Sequence, residues 1–358
     1  MDHSVNPNGL RPPIVVVSGP TASGKSALAL ALAQQLGGEI VNADSVQIYK
    51  RFDIGSAKPS QSEMAKVPHH LFSVLEPDEQ CNLGLFIRRA EEEIAGIHAR
   101  GGIPVVTGGT GLYVQGLLHG VLDDGMKGDL YSRRHSSVAD FSSAESSPVV
   151  AASDEEVYTS LQALDPLAAA VLNPADRQRV RRALEVAQNT GRSLVELQRE
   201  HGFSDLRYPA LVLVVLPDRK KLYRRIDERV DRMLASGFIE EVQVICRDFG
   251  GEPFSGEISL RQCPALSAIG YRHMVMYLDG QLSLSEAVAL MKRDTRRFAK
   301  RQYTWWRNQP VKRGWRVEAD HLIFELSDII TGVHTFLGQT PPPGLVSVRY
   351  LRYSPDIV

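Results

Sequence analysis

Apolar and polar positions alternate along the chain in two distinct ways. Residues 14–18 (IVVVS), 103–107 (IPVVT) and 211–216 (LVLVVL) are short unbroken runs of β-branched and aliphatic residues. Runs of this length without alternation predict strands buried on both faces, as in a parallel sheet. Residues 39–45 (EIVNADS) read as a further short strand ending in polar residues, and 68–72 (PHHLF) lead into another. Between these runs the spacing turns helical. An Ala/Leu-rich helix is expected at 27–36. Over 81–100, Phe86, Ala90, Ile94 and Ile97 share one side, with Arg88, Arg89 and the acids 91–93 outside. A helix opening at Pro217-Asp218-Arg219 and running to 236–237 carries a buried stripe of Leu222, Ile226, Val230, Met233 and Leu234. The last well-structured region is expected to be a helix over 285–308.

The pattern changes character between 123 and 154. Residues 136–153 are rich in Ser and Ala, which predicts a mobile or poorly packed connection. Helical spacing resumes at Glu155 and runs through Leu161, Leu164, Ala168, Val171 and Leu172. A second helix starts near Pro174 and Asp176, where Arg177, Arg179, Arg181 and Arg182 make a local anion site, and a third covers 193–201. The expected organisation is a discontinuous core, 13–122 with 203–335, and an inserted helical domain at 123–202. Residues 1–12 are expected to be a disordered leader, and 338–358, with three consecutive prolines, a peripheral tail.

The chemistry begins where the first strand ends. Gly19, Pro20, Thr21, Ala22, Ser23, Gly24, Lys25 and Ser26 fit G-x-x-x-x-G-K-[ST], between a strand and a helix. Such a loop aims backbone N–H groups and a helix N-terminus at a phosphate chain. Lys25 would neutralise phosphate oxygens and Ser26 would ligate Mg²⁺. The plainer alternative, a glycine turn, does not explain the Lys-Ser ending. The fold class is therefore α/β, a phosphate-loop NTPase-like parallel-sheet core with an inserted small helical domain. Asp44, at the end of the second strand and beside the loop, is the first candidate base; a turn or helix-capping Asp is the competing reading. The third core strand ends in Thr107-Gly108-Gly109-Thr110, where ATP-hydrolysing phosphate-loop proteins usually carry an Asp for the metal. The adjacent His69 and His70 lack a third ligand nearby and read as structural.

Composition narrows the picture little. Of 358 residues, 43% are apolar and 23% charged, with a formal net charge of −1, so nucleic-acid binding requires local basic patches. One is evident: Lys292, Arg293, Arg296, Arg297, Lys300, Arg301 and Arg307, with Asp294 the single acid among them, interleaved with Tyr303, Trp305 and Trp306. Cations beside aromatics suit phosphate contact and base stacking; a solvated face with aromatic core anchors is the alternative. Cys81, Cys246 and Cys263 show no metal or disulfide spacing, and no stretch reaches membrane-spanning length. A cytoplasmic enzyme without membrane contact is expected.

Taken in order, several blocks resemble the bacterial tRNA dimethylallyltransferases, also called tRNA isopentenyltransferases. They are GPTASGKS (19–26), NADSVQIY (42–49), DIGSAKPS (53–60), PVVTGGTGLY (104–113), DPLAAAVLNPADRQRVRRALE (165–185), MLASGF (233–238), AIGYR (268–272) and KRQYTWWR (300–307). The resemblance spans roughly 13–309. It implies transfer of a dimethylallyl group from dimethylallyl diphosphate to N6 of adenine 37 in the tRNA anticodon loop. The phosphate loop would then hold the diphosphate, with Mg²⁺, and no γ-phosphate is cleaved. It implies Asp44 as general base, with Lys25, Thr110 and Arg229 as active-site residues. It implies contacts to the tRNA anticodon stem-loop from four groups. These are Asp44, Ser45, Val46 and Gln47; then Gln178, Arg179, Val180, Arg181 and Arg182; then Ser267, Ala268, Ile269, Gly270, Tyr271 and Arg272; and finally Lys300, Arg301, Gln302, Tyr303, Thr304, Trp305, Trp306 and Arg307. A monomer is expected.

Two departures stand out. The Ser/Ala-rich run replaces a charged helical stretch, so an active-site arginine of the family falls on either Arg133 or Arg134. Residues 262–266 look like a short insertion. The main rival is an adenylate-type isopentenyltransferase acting on free AMP, ADP or ATP, which would share the first two blocks without needing the basic ones. A small-molecule kinase and a non-enzymatic RNA-binding module are further alternatives.

Overall fold

The unbroken apolar runs become the centre of a seven-stranded sheet. A computed structural model describes residues 11–120, 153–201, 206–249, 255–312, 315–322, 326–338 and 345–351. The strands are β1 (Ile14–Ser18), β2 (Glu39–Asn42), β3 (His69–His70), β4 (Pro104–Gly108), β5 (Ala210–Val215), β6 (Arg316–Leu322) and β7 (Val346–Leu351). Their order is β3-β2-β4-β1-β5-β7-β6, and every pairing is parallel. β1, β4 and β5 are buried along their whole length, which is why their sequences do not alternate. β2 stops at Asn42, earlier than the 39–45 expected. The Asn42 side chain accepts the Asp44 N–H (2.9 Å), and the Asp44 carboxylate accepts that of Val46 (2.9 Å), so the polar residues turn the chain out of the sheet.

The helices follow in order: α1 (Lys25–Leu36), α2 (Gln61–Met64), α3 (Leu83–Ala99), α4 (Gly111–His119), α5 (Asp154–Leu164), α6 (Pro166–Val171), α7 (Arg177–Thr190) and α8 (Leu194–His201). Then come α9 (Arg219–Ala235), α10 (Phe238–Phe249), α11 (Gly256–Gln262), α12 (Tyr271–Leu278), α13 (Leu284–Lys312) and α14 (Leu326–Gly338). α3 starts two residues later than expected, because the Asn82 side chain caps it by accepting the Leu85 N–H (2.8 Å). The spacing that suggested one helix from 155 to 172 is two helices. Pro166 cannot donate into a continuous helix, and Asp165 caps the second one. Residues 264–267 form a 3₁₀ turn.

The chain divides into two compact units, residues 1–120 with 205–358, and residues 121–204. In the first, α1 and α14 cover one side of the sheet: Leu28, Leu32, Ile329, Val333 and Phe336 meet Val15, Val17, Leu211 and Leu213. A second cluster gathers Phe52, Phe238, Tyr271, Met274 and Met291, and supports the segment after β2. In the other unit, Val157, Leu161, Ala168, Val180, Ala183 and Leu184 form a small core among α5, α6 and α7.

The expected peripheral C-terminal tail is corrected. Val346–Leu351 is β7, buried at five of six positions between β5 and β6. Its VSVRYL sequence is a good strand, but its partners lie far back in the chain. β6 and α14 likewise extend regular structure beyond the helix thought to be last. Arg11, within the expected leader, is tied down by an ion pair to Glu91 (2.8 Å) and a hydrogen bond to Tyr208 (2.7 Å). Residues 1–10, Arg133, Arg134, the Ser/Ala-rich run up to 152 and the three consecutive prolines lie outside the described residues. Among the described residues no helix is long and apolar enough to cross a membrane.

Candidate active site

The loop between β1 and α1 is built to receive an anion. Gly24 caps α1 with φ +97°, a left-handed conformation natural to glycine, so that the helix amides open toward the loop. Lys25 folds back toward the Pro20 carbonyl (3.4 Å). The Ser23 hydroxyl is buried and has no hydrogen-bond partner among the described residues. Such an orphan fits a site completed by a ligand.

A cavity of about 120 Å³ opens beside the loop. Thr21, Lys25, Ser26, Asp44, Gln47, Thr107, Gly108 and Arg229 line it, together with Ser56, Ala57, Lys58, Pro59, Glu63, His69 and Phe72. Folding therefore gathers the phosphate loop, the end of β2, the end of β4 and a residue of α9 into one place. Arg229 donates to Thr21 Oγ1 and to the Ser56 carbonyl, both at 3.2 Å. Asp44 uses Oδ1 to accept from Val46 N (2.9 Å) and Gln47 N (3.3 Å). Among the described residues no donor reaches Oδ2. The turn reading and the base reading of Asp44 are therefore compatible, one oxygen serving each.

The electrostatics are lopsided. Burial pushes the Lys25 ammonium down to about 8, with Asp44 opposing and Arg229 reinforcing the shift. Burial likewise lowers Arg229 from its ordinary value, and Asp44 opposes it. Two cations thus share one carboxylate, and neither forms a direct ion pair among the described residues. A site with an uncompensated positive charge and amides pointing inward favours a polyanion such as a diphosphate.

A magnesium ion fits what is present. Among the described residues, nothing engages the Ser26 hydroxyl on the cavity wall, and the buried Thr107 hydroxyl, also on that wall, has no partner. Mg²⁺ takes hard oxygen ligands and commonly relies on one or two protein groups plus substrate phosphates. Among the described residues no cluster of three or more His, Cys, Asp or Glu could hold a metal unaided. His70 bridges Glu39 (2.6 Å) and Glu93 (2.8 Å) away from the cavity, whereas His69 faces it.

The residues expected to contact RNA separate into exposed and buried ones. Lys300, Arg301, Thr304 and Arg307 are exposed on α13, and Tyr303 and Trp305 are partly so. Arg219, Tyr303, Thr304, Arg307 and Asn308 line an open cavity of about 430 Å³. Trp305 lies against Gly111, next to Thr110, whose hydroxyl makes no capping bond to α4. A stacking role for Trp306 is corrected: with Ala299, Gln302 and Pro310 it forms the inward stripe of α13, and it is fully buried. Tyr271 and Val180 are core residues for the same reason. Gln178 and Arg179 are exposed, and Arg181 and Arg182 partly so. Ser267 is exposed, Ser45, Val46, Ala268 and Ile269 are partly buried, and Gly270 is buried. Arg272 pairs with Asp294 (2.9 Å).

Gln302 has a role that nothing in the sequence pattern singles out. Its Oε1 accepts the Thr21 N–H (2.9 Å) and its Nε2 donates to the Gly109 carbonyl (2.8 Å), so it ties the phosphate loop to the end of β4. Lys58, with Ser56 in the DIGSAKPS block, is almost wholly enclosed and donates to the Tyr49 carbonyl, Asp53 and Ser73, bracing the cavity rim.

Comparison with known proteins agrees with this geometry. A family model described as IPP transferase matches residues 47–309, and a second, described as Isopentenyl transferase, matches 12–72. The chain is 45% identical over 293 residues to tRNA dimethylallyltransferase 1 of Citrifermentans bemidjiense, covering 82% of this chain and 88% of the relative. It is 43% identical to the tRNA dimethylallyltransferase of Geobacter sulfurreducens, covering 86% and 92%. Among solved structures it resembles the full-length tRNA isopentenylpyrophosphate transferase of Bacillus halodurans, with a TM-score of 0.59, 32% identity and coverage of 92% and 96%. It also resembles a eukaryotic dimethylallyltransferase captured acting on tRNA, with a TM-score of 0.68, 29% identity and coverage of 82% and 69%. The fold, the cavity and these relationships together place the chain in the IPP transferase family, that of the tRNA dimethylallyltransferases.

Proposed function

We propose that this chain transfers a dimethylallyl group from dimethylallyl diphosphate to N6 of adenine 37 in the anticodon loop of tRNA, releasing diphosphate. The observation that carries this reading is the cavity whose wall brings Lys25, Arg229 and Asp44 together beside the phosphate loop. Lys25, Arg229 and the loop amides hold the diphosphate and favour the charge that grows on it as the allylic C–O bond breaks. Ser26, with phosphate oxygens of the substrate, would hold Mg²⁺, whose charge offsets the same build-up. The bonding pair leaves with diphosphate while the adenine amine forms the new C–N bond. That amine is a weak nucleophile because its lone pair is delocalised; Asp44 Oδ2 accepts an N–H hydrogen bond and takes the proton. The adenine reaches Asp44 only when turned out of its loop. Exposed cations at the end of α13 contact the RNA backbone. Asp44, Lys25, Thr110 and Arg229 belong to the reaction centre on this reading, and the enzyme works as a monomer in the cytoplasm.

The free-nucleotide alternative is not favoured, since the relatives matched along most of the chain are tRNA dimethylallyltransferases. Radiolabelled dimethylallyl diphosphate offered with tRNA or with AMP tests the reading. Label is expected in tRNA alone; label in AMP alone would overturn it.

A further inference from the structure

One half-buried carboxylate lies outside the cavity yet organises its rim. Glu241, on α10, receives three consecutive backbone amides from the segment after β2: Asp53 N (3.0 Å) and Ile54 N (2.7 Å) on Oε2, and Gly55 N (3.0 Å) on Oε1. The Tyr271 hydroxyl, at the start of α12, donates to Oε1 as well (2.7 Å). Burial, with Glu241 beside it, raises that phenol well above its ordinary range, so it stays a donor. Four donors on one carboxylate, three of them backbone amides more than 180 positions away in sequence, make a specific anchor for a loop.

The anchor sets the next residue. The Ser56 carbonyl accepts from Arg229 Nη2 (3.2 Å) and from Gln47 Nε2 (3.0 Å), and the Ala57 carbonyl accepts from Gln47 Nε2 (3.0 Å). Arg229 carries the connection to Thr21 in the phosphate loop. The loop has no slack in which to drift. A Cβ on Gly55 would lie 2.1 Å from the Phe238 ring and 2.7 Å from the Tyr271 ring, so the backbone is pressed against the core that holds Glu241. Arg229 itself has no carboxylate to fix it among the described residues. Its direction therefore depends on two oxygens, the Thr21 hydroxyl and the Ser56 carbonyl.

The geometry points to Glu241, steadied by Tyr271, as a positioning residue that aims Arg229 into the diphosphate cavity by holding the 53–57 loop. Glu241 does not line the cavity and touches no reactant. The inference rests on the proposed reading of that cavity as a diphosphate site. It sets Glu241 apart from a residue that merely stabilises the fold, because its effect must pass through Arg229.

A double-mutant cycle separates the two. Wild type, Glu241→Gln, Arg229→Ala and the double variant are titrated with inorganic diphosphate in the presence of Mg²⁺, beside a thermal melt. Gln keeps the shape but replaces one accepting oxygen with a donor group that faces backbone N–H. Each single change is expected to weaken binding by about tenfold, and the double variant to bind within about twofold of Arg229→Ala. Multiplicative losses, or Glu241→Gln binding within about twofold of wild type, would overturn the inference. Should Glu241→Gln fail to fold, Tyr271→Phe in the same cycle reads the same coupling with a smaller loss. Transfer to tRNA by the wild type, measured alongside, reports on the functional reading alone.

Discussion

Two arginine-rich helices look alike as strings of residues and differ once folded. On α7, every arginine has a carboxylate beside it: Arg177 and Arg181 share Asp154 (2.8 and 3.1 Å), Arg179 meets Asp176 (3.2 Å) and Arg182 meets Glu185 (3.6 Å). On α13 the first half is braced in the same way. Lys292 pairs with Asp231 (2.5 Å), Arg296 with Asp227, and Arg293 and Arg297 with Asp294. In its second half, no carboxylate among the described residues pairs with Lys300, Arg301 or Arg307. Counting cations along a sequence measures basic composition. Charge available to a phosphate is what remains after the neighbouring acids are placed, and by that measure the end of α13 outranks α7. The cavity follows the same rule: among the described residues neither Lys25 nor Arg229 forms an ion pair, and Asp44 is the carboxylate that acts on both.

The sharpest way to break this comparison is to remove the one carboxylate that faces two cations. Asp44→Ala removes the carboxylate that acts on both Lys25 and Arg229, so diphosphate should bind at least as tightly. Transfer should nevertheless fall by about 10²–10⁴-fold, because the proton acceptor is gone. Equilibrium binding and single-turnover rates on the same preparation show whether the two effects part in this way. Transfer that falls together with diphosphate affinity would mean Asp44 serves binding instead.

Lys25 gives the next effect. With its pKa lowered to about 8, the ammonium is fully charged below that pH and loses its proton above it. Diphosphate affinity of the wild type should therefore fall as pH rises through 8, by up to about tenfold per unit. Lys25→Arg stays charged throughout and should bind with a flatter profile over the same range. The ratio of the two affinities cancels the ionisation of diphosphate itself.

The helices themselves come next. Replacing Lys300, Arg301 and Arg307 with Ala should flatten the dependence of log affinity for tRNA on log salt by about two units, at roughly 0.7–0.9 per lost phosphate contact. The same change at Arg179, Arg181 and Arg182 should flatten it by less than half as much. Exposed ion pairs contribute only about 0–1 kcal/mol each, so the melting temperature should drop slightly for this second variant. Equal slopes from the two variants would erase the distinction between paired and unpaired cations.

What the sequence revealed depended on how local each feature is. The strand at 14–18, the phosphate loop and α9 are contiguous signals, and each stands where its pattern placed it. β7 was missed because VSVRYL becomes a strand only beside β5, whose residues precede it by more than a hundred positions. The same distance hides Gln302, whose side chain closes on Thr21 across 281 residues. Trp306 shows the complementary limit: an aromatic in a basic run suggests stacking, but helical phase puts it under the surface, on the stripe with Ala299. Helix phase is legible at this position, whereas the charges around it carry no information about its burial.

The central claim is that one cavity joins diphosphate release to alkylation of a tRNA adenine. It is tested most directly on an anticodon stem-loop carrying adenine 37, an otherwise identical stem-loop with guanine there, and free AMP. Each is incubated with dimethylallyl diphosphate and Mg²⁺, and the nucleosides are resolved by mass spectrometry. The account expects N6-dimethylallyladenosine from the adenine stem-loop, with the guanine stem-loop and AMP unchanged. Modified AMP beside an untouched adenine stem-loop would contradict it.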